Sequence, residues 1–307
     1  MIDNKLACVF PGQGSQSVGM LGELATAYPV VEATFAEASE VLGYDLWQLT
    51  QQGPETELNQ TAKTQPALLA ASVAIWRIWQ AQQSRMPALL AGHSLGEYSA
   101  LVCADSMAFT DAIKLVALRG EYMQAACPEG KGAMAAIIGL DDAVVIAVCA
   151  TVSEGEIVTA ANFNAIGQVV IAGETAAVER AIIAAKDAGA KIAKRIPVSV
   201  PSHCELMRPA AQRLSEALAD VAITAPSIPV IHNVNVSEVT HGDDIRQALV
   251  EQLYSPVRWV ETIQLFAEQG ILQLVECGPG KVLAGLNKRI VKTMTVQTLT
   301  APEAFTA

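Results

Sequence analysis

The chain has 307 residues, of which 51% are hydrophobic, 17% charged and 5% aromatic. This length and composition predict a globular, helix-rich α/β protein with room for two subdomains, and they exclude a disordered chain. The formal net charge of −11 argues against nucleic acid or an anionic membrane as a general partner.

The first predicted element is a buried strand over residues 6–10, followed by a glycine-rich loop over residues 11–16. The loop lacks the spacing of a nucleotide-binding motif, so the sequence gives little support for a phosphate-binding role. Helices are predicted over residues 19–27, 30–42 and 65–83, and Pro66 suits the first turn of the last one. The N-terminal apolar run is too short for a signal peptide, and no run reaches the roughly 18 residues of a membrane span. We therefore expect a cytoplasmic protein.

Residues 88–91 predict a second buried strand, and residues 97–104 predict a helix. Between them lies Gly92-His-Ser-Leu-Gly96, which matches the G-x-S-x-G pattern of a nucleophile elbow. This pattern holds a serine on a sharp turn with its hydroxyl exposed, beside helix N–H groups that can receive an oxyanion. A chance match is the alternative, and the strand-turn-helix context argues against it. Ser94 is therefore the candidate nucleophile.

The next helix is predicted over residues 111–126, with Thr110 and Asp111 as candidate caps. Its apolar stripe, spaced at three and four residues, contains Arg119. A cation in an apolar stripe needs an anionic partner, a ligand or a route to solvent. Arg119 is therefore either a structural residue, in a salt bridge or reaching to solvent, or a residue that binds a ligand.

The pattern changes after a linker at residues 128–132. Shorter elements follow in the order strand, helix, strand, strand, helix, strand, over residues 134–138, 141–151, 157–161, 168–172, 176–188 and 191–196. This order is that of a ferredoxin-like unit, with a turn predicted over residues 162–167. We predict an inserted ferredoxin-like subdomain over residues 128–197, within a discontinuous larger domain of residues 1–127 and 198–307.

The remaining elements complete the larger domain. Helices are predicted over residues 205–220, 244–253, 260–269 and 282–291, and strands over residues 228–234, 271–276 and 293–298. Strands that alternate with helices predict a parallel sheet. Together with the elbow, they indicate an α/β fold with an α/β-hydrolase-like core.

A serine hydroxyl needs a general base to act as a nucleophile at neutral pH. His93 is a poor candidate because neighbouring side chains on the elbow point apart, while His232 lies in an apolar run and His241 in a polar turn. His203 lies where a loop enters a helix, and it is the preferred base. No acidic residue stands out as the group that would orient its imidazole. The residues alone predict a Ser94–His203 pair with an unknown third member.

Several short motifs in a fixed order carry a family resemblance. They are Phe10-Pro-Gly-Gln-Gly-Ser-Gln16, Thr64-Gln-Pro-Ala-Leu68, Gly92-His-Ser-Leu-Gly-Glu97, Arg119, Asn162-Phe-Asn164, Val200-Pro-Ser-His203 and Gly278-Pro-Gly-Lys281. The set resembles that of the malonyl-CoA:acyl carrier protein transacylases, the stand-alone bacterial enzymes of type II fatty acid synthesis. The resemblance runs nearly end to end, and it is far more specific than G-x-S-x-G alone.

The resemblance implies a role for each candidate site residue. Ser94 would accept the acyl group, and His203 would act as its base. Arg119 would bind the free carboxylate of the malonyl group. The backbone N–H groups of Gln13 and Leu95 would form the oxyanion hole.

The same resemblance implies that the backbone carbonyl of Gln252 accepts a hydrogen bond from His203, which accounts for the missing acid. It implies malonyl-CoA and an acyl carrier protein as partners. It implies neither a metal nor a redox cofactor, and the six cysteines show no zinc or redox spacing.

Other functions could use the same residues. A serine thioesterase would have the same elbow with water as the acceptor, and a non-catalytic protein could bind an acyl carrier. Arg119 and the local basic clusters favour a malonyl transferase over a thioesterase, and the intact Ser94 and His203 argue against a non-catalytic protein. Transfer of another acyl group in polyketide synthesis stays open. The clusters, which could instead be solvated helix faces, are Lys281, Lys288, Arg289 and Lys292, and Lys191, Lys194 and Arg195.

Overall fold

A computed structural model of the chain describes residues 2–83, 85–128, 130–198 and 200–305. Its central feature is a five-stranded sheet in which every neighbouring pair of strands is parallel. The strands are β1 (Ile2–Phe10), β2 (Met86–Gly92), β7 (Val230–Ile231), β8 (Gln273–Glu276) and β9 (Thr295–Thr298). Their spatial order is β7-β2-β1-β8-β9. The protein is thus a mixed α/β fold with a parallel sheet, as predicted.

Helices cover both faces of this sheet. They are α1 (Gly22–Ala27), α2 (Val30–Leu42), α3 (Leu46–Gln52), α4 (Glu55–Leu58), α5 (Thr61–Gln82), α6 (Gly96–Cys103), α7 (Phe109–Ala126), α10 (Arg208–Ala219), α11 (Gly242–Gln252), α12 (Trp259–Glu268) and α13 (Val282–Ile290). In β1, the side chains of Leu6, Cys8 and Phe10 pack with α5 and α7, while those of Ala7 and Val9 pack with α12 and α13. Because strand side chains alternate between the faces, a strand covered on both sides reads as a continuous apolar run.

A second, smaller sheet is built from the middle of the chain. Its strands are β3 (Gly132–Ile138), β4 (Val158–Ala165), β5 (Gln168–Glu174) and β6 (Ile192–Arg195). They lie in the order β4-β5-β3-β6, and each neighbouring pair is antiparallel. Helices α8 (Asp142–Val152) and α9 (Thr175–Asp187) pack on this sheet around a separate hydrophobic core.

Several helices begin earlier than predicted, and α5 and α7 contradict the predicted first turn or caps. Helix α5 begins at Thr61, so Pro66 lies inside it. A proline so near the start removes a single backbone hydrogen bond, and the helix is buried along most of its length, which outweighs that loss. Helix α7 follows Ala108 without a side-chain cap, so the predicted caps at Thr110 and Asp111 are wrong. The buried side chain of Phe109 anchors the start of α7 in the core instead.

Strand boundaries also differ from the prediction, and β1 begins at Ile2 rather than at residue 6. Strand β4 continues to Ala165, where a turn was expected from residue 162. The connection to β5 is only Ile166 and Gly167, and Gly167 takes a positive φ of 68°, as tight hairpins require. Strand β7 is shorter than expected at both ends, and Asn233, beyond its C-terminal end, contacts the elbow.

No helix of the described residues is long and apolar enough to cross a bilayer. Nor do these residues bring together three or more His, Cys, Asp or Glu side chains that could hold a metal ion. The six cysteines are buried as free thiols, which agrees with the apolar runs in which most of them lie.

Candidate active site

The elbow forms a sharp turn between β2 and α6, as the motif predicts. Ser94 lies in it with a positive φ of 52°, a conformation that is uncommon for residues other than glycine. A Cβ on Gly92 would lie 1.8 Å from the backbone carbon of Gly96, and one on Gly96 would lie 2.1 Å from the Phe10 carbonyl oxygen. Both positions therefore require glycine, because any side chain would collide with backbone atoms.

Asn233, just after β7, holds both arms of this turn. Its Nδ2 donates to the Gly92 carbonyl at 2.7 Å, and its Oδ1 accepts from the Ser94 N–H at 2.8 Å. The Ser94 N–H is therefore bonded within the protein and is not available to a substrate. Asn233 lies beyond the C-terminal end of a parallel strand, the edge at which α/β sheets place their sites.

Ser94 and His203 form a hydrogen-bonded pair. Ser94 Oγ lies 2.8 Å from His203 Nε2, and His203 Nδ1 lies 2.7 Å from the Gln252 backbone oxygen. A carbonyl oxygen can only accept, so Nδ1 carries the proton and the unprotonated Nε2 accepts from the serine hydroxyl. This is the arrangement that a general base needs.

The environment of His203 keeps its imidazole neutral. The residue is only 3% exposed and adopts a positive φ of 63°, a second strained position in the site. Burial, together with the nearby guanidinium of Arg119, lowers the pKa of His203 to about 3. The free protein therefore presents a proton-accepting imidazole throughout the physiological pH range.

The guanidinium of Arg119, on α7, is fully buried beside the nucleophile. Its Nη2 lies 3.3 Å from Ser94 Oγ and 2.9 Å from Gln252 Oε1, and its Nη1 lies 2.7 Å from Gln65 Oε1. Among the described residues, no carboxylate pairs with it and its Nε has no hydrogen-bond partner. Neither a structural salt bridge to these residues nor a guanidinium reaching to solvent fits this position.

Burial lowers the pKa of Arg119. Its ordinary value is so high that the guanidinium still carries its charge at neutral pH. Within the described part of the chain, the guanidinium Nε has no hydrogen-bond partner, Nη2 lies 3.3 Å from Ser94 Oγ, and no carboxylate pairs with this Nε–Nη2 edge. A small carboxylate is the ligand that matches such an edge.

The backbone N–H groups of Gln13 and Leu95 make no hydrogen bond within the described residues. Leu95 directly follows Ser94, at the N-terminus of α6. The loop that carries Gln13 packs over the elbow, since a Cβ on Gly12 would lie 2.5 Å from the His93 carbonyl oxygen. Both N–H groups are therefore free to donate to an oxyanion formed at Ser94.

His93 is engaged away from the nucleophile, which agrees with its rejection as a base. Its Nε2 lies 2.7 Å from Asn164 Oδ1 on β4, and its ring packs against Trp259 with 5.5 Å between centroids. Burial lowers the pKa of His93. Two backbone hydrogen bonds of Val257, at 3.0 and 2.9 Å, also tie β4 to the larger part of the chain. His93 thus links the elbow to the smaller sheet.

Three further residues of the site were given no role in the prediction: Gln65 and Glu97, which lie in two of the motifs of the family resemblance, and Asn233, which lies in none. All three are completely buried and hydrogen-bonded. A polar residue inside an apolar helix, or directly after a buried strand, was the available signal, because burying such a group is costly unless it is bonded.

Comparisons with known proteins extend over nearly the whole chain. The acyl transferase domain family matches residues 7–301. Malonyl CoA-acyl carrier protein transacylase of Escherichia coli K12 is 60% identical over 303 residues, or 99% of this chain and 98% of that protein. The crystal structure of an acyl carrier protein S-malonyltransferase from Vibrio cholerae is similar with a TM-score of 0.97 and 59% identity, covering 98% of this chain and 99% of that one. A solved complex of a type II PKS acyl-carrier protein with its malonyl-transacylase (PlMCAT:AntF) gives a TM-score of 0.97 and 59% identity, with 98% of each chain covered.

Proposed function

This chain belongs to the acyl transferase family, among the malonyl CoA-acyl carrier protein transacylases, and we propose that it moves a malonyl group from malonyl-CoA to an acyl carrier protein. The acceptor is the phosphopantetheine thiol of the carrier, and the product supplies fatty acid synthesis. One observation carries the proposal: the buried guanidinium of Arg119 has its Nη2 3.3 Å from Ser94 Oγ. A neutral acyl group has no use for a cation there, whereas a malonyl group brings its own carboxylate.

In the first half-reaction, His203 Nε2 takes the hydroxyl proton as Ser94 Oγ attacks the thioester carbonyl. Arg119 holds the malonyl carboxylate, one methylene away from that carbonyl, and so reduces the entropy cost of the attack. The N–H groups of Gln13 and Leu95 donate to the oxyanion that forms. When the tetrahedral intermediate collapses, the CoA sulfur leaves with the proton from His203, and an O-malonyl serine remains.

The second half-reaction reverses these steps with a new thiol. The phosphopantetheine thiol gives its proton to His203, and its sulfur attacks the ester carbonyl. Ser94 then leaves and takes the proton back. Throughout, the Gln252 carbonyl accepts from His203 Nδ1 at 2.7 Å, which fixes the tautomer and stabilises the transient imidazolium. The proposed reaction calls for neither a metal nor a redox cofactor.

The domain organisation is part of the same proposal. The larger part, residues 1–127 and 198–307, is an α/β-hydrolase-like catalytic domain, and residues 128–197 are an inserted ferredoxin-like subdomain. A nucleophile between a parallel strand and a helix supports the first assignment. The order β4-β5-β3-β6 and the separate core support the second. Cytoplasmic location stays a prediction.

The dependence of product formation on the acceptor distinguishes a malonyl transferase from a thioesterase. With malonyl-CoA and a carrier bearing phosphopantetheine, we expect malonyl-carrier and free CoA in equal amounts, because the ester on Ser94 is delivered to a thiol. The measurement is mass spectrometry of the products with this carrier, with a carrier lacking phosphopantetheine, and with no carrier. Malonate released at the same rate in all three would support a thioesterase. No turnover and no adduct would support a non-catalytic carrier-binding protein.

The family resemblance implies an acidic carrier, and this chain also has a net negative charge. The two proteins repel each other overall, so the carrier needs a local basic surface on which to dock. Lys191, Lys194 and Arg195 are exposed at and just before β6. Arg195 lines a cleft of about 640 Å³ together with Thr61. The Gln13 side chain donates to the Thr61 hydroxyl at 3.4 Å. Arg195 therefore lines a cleft that it shares with Thr61, a residue in contact with the side chain of Gln13.

Reversing the charge of this cluster should weaken carrier docking. For Lys194→Glu/Arg195→Glu we expect the KM for the carrier to rise roughly tenfold, with little change in acylation by malonyl-CoA. The matched control is Lys288→Glu/Lys292→Glu, which reverses two exposed charges in the C-terminal cluster. A rise in KM only in the control would indicate that the carrier docks on the C-terminal cluster instead. No rise in either variant would refute docking on either cluster.

A further inference from the structure

A buried polar network lies beneath the elbow, with a carboxylate at its centre. Glu97, in the first turn of α6, is completely buried. Its Oε1 accepts from His232 Nδ1 at 2.8 Å. Its Oε2 accepts from the Asn233 N–H at 2.9 Å and from Gln252 Nε2 at 3.0 Å. The acyl-transfer steps make no use of this carboxylate.

The side chain of Gln252 connects Glu97 to Arg119. Gln252 Nε2 faces two oxygen atoms that can only accept, the Ser94 carbonyl at 3.0 Å and the Glu97 carboxylate at 3.0 Å. The orientation of the amide is therefore fixed, and its Oε1 must face the other way. There, Oε1 accepts from Arg119 Nη2 at 2.9 Å. A single amide thus separates the carboxylate from the guanidinium.

The charge of Glu97 is not neutralised by its histidine neighbour. His232 is buried, and its Nε2 has no hydrogen-bond partner among the described residues. A protonated imidazole would carry an N–H at Nε2 that is buried without an acceptor, together with a buried positive charge. The geometry therefore fits a neutral ring that donates through Nδ1. Within the described residues, the Arg119 guanidinium donates to the two neutral amides of Gln65 and Gln252 and to the Ser94 hydroxyl. Glu97 is therefore the negative charge that balances Arg119.

We propose that Glu97 is the counter-ion of Arg119, held one amide away by Gln252 so that the guanidinium is compensated without being paired. A direct ion pair would occupy the edge that a malonyl carboxylate needs. A buried cation with no compensation would destabilise the fold. Glu97 is thus a positioning residue that acts through Gln252 and does not touch the substrate. The inference rests on the proposed binding of the malonyl carboxylate by Arg119.

A distinctive consequence follows for malonyl binding. Glu97 and the malonyl carboxylate compensate the same cation and repel each other. Removing the charge of Glu97 should therefore tighten the binding of the malonyl carboxylate to Arg119. Loosening a purely structural residue would instead weaken binding. Glu97→Gln keeps the size of the side chain and most of its contacts: its oxygen can accept from Asn233 and Gln252. Its NH₂ faces His232 Nδ1, which can accept only if the imidazole proton moves to Nε2, an atom with no partner among the described residues, so the variant gives up or rearranges this one hydrogen bond.

The test is calorimetric binding of malonyl-CoA and acetyl-CoA in a Ser94→Ala background, where no acyl transfer occurs. Adding Glu97→Gln should tighten malonyl-CoA binding by about five- to tenfold and leave acetyl-CoA within about twofold. The matched control is Glu276→Gln, which removes another buried carboxylate, bonded to two backbone N–H groups at 3.0 and 2.8 Å at the start of α13. It should change neither affinity. Unchanged or weaker malonyl-CoA binding in Glu97→Gln would overturn the proposal.

A stability measurement covers the case in which Glu97→Gln does not fold. The thermal midpoints of Arg119→Met and of the double variant Glu97→Gln/Arg119→Met are then compared. Removing both charges should restore a folded protein, because no uncompensated cation remains. A double variant that is as unstable as Glu97→Gln, beside a folded Arg119→Met, would overturn the counter-ion role. Equal affinity of the Ser94→Ala parent for malonyl-CoA and acetyl-CoA would instead contradict the malonyl site itself.

Discussion

Replacing Arg119 by alanine is expected to lower kcat/KM for malonyl-CoA by about 10²–10⁴-fold, because the malonyl carboxylate would be buried without its cation. Removing one partner of a buried charge pair costs roughly 3–5 kcal/mol, and each 1.4 kcal/mol is about tenfold. Acetyl-CoA has no carboxylate, so its transfer should hold or rise once the cation no longer faces its methyl group. The change should therefore shift selectivity from malonyl toward acetyl rather than simply inactivate the enzyme.

The measurement is the ratio of kcat/KM values for the two thioesters in each variant. Arg119→Lys is the matched control, because an ammonium keeps the charge but cannot reproduce a two-pronged contact, and it should rescue malonyl transfer only in part. An equal fall for both thioesters would mean that Arg119 has a structural role. The malonyl assignment would then rest on family membership alone.

Replacing His203 by alanine is expected to slow acylation of Ser94 by about 10²–10⁴-fold, the usual contribution of a positioned base. Rapid-quench measurement of the acyl-enzyme gives this rate, and circular dichroism checks the fold. His93→Ala is the control, since His93 contacts Asn164 and not the nucleophile. Equal losses in two folded variants would contradict the assignment of the base.

The pH dependence gives a second readout on the same base. With the pKa of His203 lowered to about 3, protonation of this base should not limit acylation by the free enzyme between about pH 5 and 8. The positive charge of Arg119 contributes to that lowering. Arg119→Ala should therefore raise the pKa of His203 and move the acid limb of kcat/KM for acetyl-CoA to higher pH. An acid limb that stays in place would contradict this coupling.

The nucleophile and its base could be predicted because their signals are local. Glycines that flank a serine between a strand and a helix specify an elbow, and a histidine at a loop-to-helix junction is easily presented to a site. Arg119 was equally visible, because a cation within an apolar stripe conflicts with its surroundings. In each case the residue is of a type that is unusual for the strand, turn or helix in which it lies.

The supporting residues could not be predicted from the chain alone. The group that orients the imidazole of His203 is the backbone oxygen of Gln252. Every residue carries such an oxygen, so only the tertiary fold or a family resemblance identifies this one. Asn233 reaches the elbow only because β7 pairs with β2 and then leaves the sheet. The start of α5 before Pro66 likewise depends on burial against other elements, which outweighs a local preference.

The most direct test of the account is the mass of the protein after brief exposure to malonyl-CoA alone. The account predicts one malonyl group, located on Ser94 by peptide mapping and absent from Ser94→Ala. The thiol of Cys204, next to the base in sequence, should not compete, because burial raises its pKa to about 12 and keeps it protonated. An adduct on Cys204, or no adduct at all, would contradict Ser94 as the acyl-accepting nucleophile.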